Sequence, residues 1–182
     1  MLRRFYAAIL ILVTFILDST LMPIIYDGVF AVPLTVVAVL LIGMLLGRMR
    51  GLLYGTIGGL LLDITTGTLG MMTFFLMAAG FLIGLIVYNP GERFLPSRRR
   101  QRRRVLWQAG WVFSLYLAGE IAFFLIQYFN TARIVPITFL HMLVRALICT
   151  ALTMLFKPLM ERVLVDRGEN RFLSRNREVK SF

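Results

Sequence analysis

Charge, cysteine and histidine are all scarce in this chain of 182 residues. Only 16% of it is Asp, Glu, Lys or Arg, and it holds one cysteine and one histidine. The single cysteine, Cys149, sits inside an apolar run and has no internal disulfide partner. One histidine and one cysteine supply no cluster with metal-ligand spacing, so no cofactor or metal is expected. There is no GxSxG serine, no HExxH pair and no Walker phosphate loop. Nothing in the sequence therefore points to an enzyme, and the chain has no means of energising transport by itself. Acidic residues are rarer than basic ones, 9 against 20, which leaves a net charge of +11.

Apolar residues are abundant instead. They make up 59% of the chain, and the mean hydropathy is +0.81. A soluble domain of this size has no interior large enough for that much apolar surface. Several runs of about 18 or more residues carry almost no charge, the mark of membrane-spanning helices. The expected fold is an all-α integral membrane protein, a six-transmembrane-helix bundle over 1–160. Its spans are expected at about 5–21, 31–47, 51–66, 70–88, 105–129 and 136–156, with a cytoplasmic polar tail at 161–182. The apolar part of the third span, Gly51 to Leu62, covers only ~18 Å at helical rise; it needs the following threonines to reach further. Arg3 and Arg4 precede the first span, and Asp18 to Pro23 does not read as a small-residue cleavage site. That segment is expected to be a retained anchor, stopped by Pro23. Arg48-Met49-Arg50 is expected to be a basic turn, Asp63 to Leu69 a second turn, and Asn89 to Arg104 a loop.

Six spans put both termini on one side. Eighteen of the 20 Lys and Arg then fall on that side; Arg133 lies opposite, and Arg145 lies within the sixth span. The positive-inside rule makes that side, and both termini, cytoplasmic. Positive charge distributed in this way suits a membrane surface rather than nucleic acid. The densest run is Arg98, Arg99, Arg100, Arg102, Arg103 and Arg104, expected to meet anionic lipid or a cytoplasmic filament. Tyr88, Trp107, Trp111 and Tyr128 fall near span ends, where aromatic rings favour the interface.

Five polar residues fall within or at the ends of the spans: Asp18, Asp63, Glu120, His141 and Arg145. Glu120 and Arg145 are each nine residues from the ends of a short connection, so they should share a depth and form an ion pair. His141 shares the face of Arg145. The pair reads either as a pin between helices or as the lining of a ligand cavity. Asp18 and Asp63 read either as solvated or capping groups, with Asp63 bonding Thr65 and Thr66, or as parts of an outward-opening pocket floored by Glu120 and Arg145.

Glycines recur every fourth residue at Gly43, Gly47, Gly51, Gly55 and Gly59. Such a ladder lets backbones approach closely, within the chain or against a partner helix. The ladder leads into Asp63, Gly67 and Gly70. The pattern G-x-x-x-G-x-x-x-D-I-x-x-G-x-x-G, from Gly55 to Gly70, followed by an apolar helix, resembles the central stretch of MreD, the rod shape-determining membrane proteins of bacteria. The likeness is good over Gly51 to Gly84, with one residue fewer between Gly67 and Gly70, and elsewhere rests on hydropathy. It implies a non-enzymatic scaffold in the bacterial cytoplasmic membrane that helps organise lateral peptidoglycan synthesis. The implied partners are MreC, the MreB filament, and RodA with its penicillin-binding transpeptidase. Gly43, Gly47, Gly51, Gly55, Gly59, Asp63, Gly67 and Gly70 become candidates for partner docking. The implied fold resembles the substrate-binding S component of energy-coupling-factor vitamin transporters, which is also the alternative function. S components often carry an A-x-x-x-A pattern on their first helix; here Ala7 and Ala8 are adjacent.

Overall fold

A computed structural model describes the backbone of residues 2–25, 32–67, 70–88, 98–131 and 139–164, and the side chains of 5–20, 32–67, 70–88, 105–125 and 139–161. The expected loops around Asp27 and Arg133, the side chain of Tyr128 and the tail beyond 164 lie outside these residues. Six helices make up the described chain, with no strand among the described residues: α1 (Leu2–Ile25), α2 (Leu34–Leu46), α3 (Arg48–Thr66), α4 (Met71–Val87), α5 (Arg98–Thr131) and α6 (Phe139–Leu164). Two stretches, Val105–Leu125 of α5 and Phe139–Glu161 of α6, are long and apolar enough to cross a membrane. Phe5–Thr20, Leu34–Leu46 and Met71–Val87 are shorter apolar helices.

Helix α2 is the centre. It is apolar on every face, and each residue from Thr35 to Leu45 is buried. A helix of that kind has no solvated side and must be enclosed. Helices α3 and α4 close over it as an antiparallel pair, with Arg48 against Gly84, Gly51 against Gly80, Gly55 against Leu76 and Gly59 against Thr73. Ile11 of α1 reaches Gly58 of α3, and Ala7 and Ile11 join the core. Helices α5 and α6 form a second antiparallel pair, Glu120 opposite Arg145 and Gln108 opposite Lys157. From this pair Val112, Tyr116, Ala146 and Cys149 reach the core.

Several boundaries differ from the sequence expectation. Helix α1 continues two residues past Pro23. Proline forfeits one backbone bond, and so close to a helix end that loss falls in the final turn. Arg48, Met49 and Arg50 are the first turn of α3 rather than a turn between helices. Gly47 alone reverses the chain, at φ 92 and ψ 174, a conformation open essentially only to glycine. Its N–H bonds Gly43 O at 3.1 Å and its carbonyl accepts from Gly51 N at 2.9 Å, so the reversal loses few bonds. Asp63 belongs to α3, which ends at Thr66 with Gly67 in the left-handed region at φ 67. The Arg98–Arg104 run is helical and continuous with α5, and α6 passes through Pro158 to Leu164.

Candidate functional site

Among the described residues, three groups of polar side chains each join one helix to another. The first is at Asp18, 4% exposed on α1. Its Oδ1 accepts from Leu34 N at 2.7 Å, and its Oδ2 accepts from Thr35 N at 2.7 Å and from Thr35 Oγ1 at 2.6 Å. These are the opening amides of α2. That helix is preceded by Pro33, which makes no side-chain cap. A carboxylate from the previous helix takes over the role of N-cap, where free N–H groups and the helix dipole both favour negative charge.

The second group repeats the first. Asp63, 8% exposed on α3, accepts through Oδ1 from Met72 N at 3.1 Å. Its Oδ2 accepts from Thr73 N at 2.8 Å and from Thr73 Oγ1 at 2.5 Å. The receiving helix α4 is preceded by Gly70, at φ 87, again with no side-chain cap of its own. In both cases one carboxylate oxygen takes the amide just before a threonine, and the other takes that threonine's own amide and hydroxyl. Because α2 and α4 run in the same direction, both latches lie at one end of the bundle. Thr65 Oγ1 bonds the Leu62 carbonyl at 2.9 Å and Thr66 Oγ1 bonds it at 2.8 Å. The two threonines bond back into α3, and Asp63 reaches forward to α4.

The third group joins α5 to α6. Arg145 Nη1 stands 3.7 Å from Glu120 Oε2, with 20% and 18% of the two side chains exposed. The phenol of Tyr116, one turn before Glu120 and itself buried, donates to Glu120 Oε1 at 2.9 Å. Cys149 is buried one turn after Arg145, and His141, half-buried, lies one turn before it. Towards the other end of the pair, buried Gln108 accepts from Lys157 Nζ, which also lies 3.9 Å from Glu161. Asp18 is engaged by α2, so it and the Glu120–Arg145 pair serve different helix contacts.

The glycine ladder is filled from within the chain. A Cβ on Gly51 would land on the Gly80 carbonyl oxygen, one on Gly55 on the Leu76 carbonyl oxygen, and one on Gly59 on the Thr73 backbone. At Gly43 it would stand 2.6 Å from the Gly80 oxygen. Tyr88 covers Gly47, a Cβ there standing 3.3 Å from its ring. Helix α4 therefore takes the place in which a partner helix was expected to dock. A Cβ on Gly67 or Gly70 would meet nothing within 4 Å among the described residues, and their role is the left-handed backbone at the two ends of the α3–α4 connection.

Sequence reasoning missed Thr35, Thr73, Tyr116 and Gln108. Thr35 and Thr73 had a readable signal: a threonine in the first turn of an apolar helix that carries no N-cap of its own. Every buried side-chain nitrogen and oxygen among the described residues has a hydrogen-bond partner. Among the same residues there is no group of three or more His, Cys, Asp or Glu able to hold a metal. The chemistry of these groups is that of attachment, one helix to the next. The backbone of the arginine run extends α5 from Arg98, and its side chains lie outside the described set. No family model, no curated protein and no solved structure matches the chain.

Proposed function

We propose that the chain is a non-enzymatic membrane scaffold of the MreD type, serving the bacterial cell-elongation complex. The observation that carries this reading is that each glycine of the Gly55–Gly70 pattern that the resemblance rests on, and its Asp63, has an architectural task. Gly55 and Gly59 admit the α4 backbone, Asp63 caps α4, and Gly67 and Gly70 turn the chain between α3 and α4. A motif whose glycines and carboxylate are used for building suits a platform more than a catalyst. The six helices are read as six spans of the cytoplasmic membrane. Both termini are then cytoplasmic, on the side that holds eighteen of the 20 basic residues. Both carboxylate latches then lie toward the outer face.

The expected partners are the single-span MreC, the MreB filament, and RodA with its penicillin-binding transpeptidase. They would meet the outer surfaces of the bundle, because the α3 glycine face is occupied. An affinity pull-down of tagged protein in mild detergent, read by mass spectrometry, tests the proposal. Recovery of MreC-, MreB- or RodA-type proteins is the expected result. Recovery of a transporter ATPase pair instead would overturn it in favour of a vitamin-binding S component.

A further inference from the structure

The Arg98–Arg104 segment was expected to be loop, and it is helix. That change matters physically. Six arginines in seven residues occupy the first two turns of α5, with no acidic residue in the first turn. Helical register puts Arg98 with Arg102, Arg99 with Arg103 and Arg100 with Arg104 at i, i+4 spacing, where like charges repel. The N-terminal end of a helix dipole repels cations as well. Left to itself, this is a poor place for a helix to begin, and a counter-surface of negative charge removes both penalties.

The position of the segment selects that surface. The helix passes without interruption from Arg104 into Val105–Leu125, the stretch apolar enough to cross a membrane. Trp107 and Trp111 stand at the junction, 50% and 37% exposed, with ring centroids 6.1 Å apart. Exposed tryptophans at the end of an apolar helix mark the headgroup level of a bilayer. We propose that Arg98–Arg104 is a helical collar that gathers acidic phospholipids around the cytoplasmic end of α5. This deepens the scaffold reading and rests on its membrane-spanning part: the collar would give the platform a local shell of anionic lipid.

The two tryptophans of the chain are both beside the collar, so they report on lipids that gather there. The test uses the full-length chain reconstituted in phosphatidylcholine bilayers. Tryptophan quenching by brominated phosphatidylglycerol is compared with quenching by brominated phosphatidylcholine at matched acyl chains and mole fraction. The expected result is an apparent preference of about five-fold or more for the acidic lipid, falling in high salt. Changing all six arginines to Gln should abolish the preference while phosphatidylcholine quenching stays unchanged, and changing all six to Lys should retain most of it. Equal quenching by the two lipids in the wild-type chain overturns the proposal and favours a protein filament as the counterpart of the collar. A preference that survives in the Gln variant also overturns it. Quenching by neither lipid would place Trp107 and Trp111 outside the bilayer, defeating the membrane-spanning reading and the collar together.

Discussion

The first four helices and the last two are held together by different means. In α2–α4, backbones meet almost directly, because glycines on α2 and α3 face the glycines and carbonyls of α4. The two helix starts are then fixed by Asp18 and Asp63. In α5–α6, less than a quarter of the most apolar 18 residues of each helix is buried. That pair is joined by longer side chains, Glu120 with Arg145 and Gln108 with Lys157. Contact between backbones leaves no freedom to repack, whereas contact through long side chains does. The core should therefore be brittle to substitution, and the α5–α6 pair tolerant.

The sharpest way to break this contrast is to add volume to the glycine seam. Gly51→Leu or Gly55→Leu should destabilise the bundle by about 3 kcal/mol or more, because the obstacle is backbone and cannot rotate away. Thermal unfolding in detergent should show the loss, and Gly110→Leu on α5, where an added Cβ meets nothing within 4 Å among the described residues, should leave the midpoint nearly unchanged. The latches come next. Asp18→Ala and Asp63→Ala each leave two opening amides and a threonine hydroxyl without their acceptor, for a loss of about 2 kcal/mol each. Asp→Asn should cost less, since the amide oxygen still accepts. Chemical denaturation of the single and double variants should show additive losses, because the latches serve different helix pairs. Within α5–α6, a double-mutant cycle on Glu120→Gln and Arg145→Met should return a coupling of about 1 kcal/mol, in keeping with a partly exposed pair between helices. The smallest effect belongs to Glu161→Gln, about 0.5 kcal/mol or less, because Glu161 is half-exposed and Lys157 keeps its bond to Gln108.

Much of the helical frame was legible because hydropathy records which residues avoid water. All six helices coincide with apolar segments, and the pairing of Glu120 with Arg145 followed from counting along two antiparallel helices. Pairing is less legible. The acceptor for Leu34 and Thr35 lies 16 and 17 residues upstream, and that for Met72 and Thr73 lies 9 and 10 upstream. No local pattern rule spans such distances. The glycine ladder announced close approach without saying to what, since four-residue spacing reads the same for an internal neighbour and a foreign one. Helix limits were missed where a residue's habit was overruled by its position, as at Pro23, Arg48 and Arg98.

The central claim is that Asp63 holds the start of α4 and so makes the Gly55–Gly70 pattern an architectural one. Amide hydrogen exchange at Met72 and Thr73, compared between the wild-type chain and Asp63→Ala, tests it most directly. The account predicts exchange at these two amides faster by about tenfold or more in the variant, with α5 and α6 unchanged. Equal protection at Met72 and Thr73 in the two proteins would contradict it.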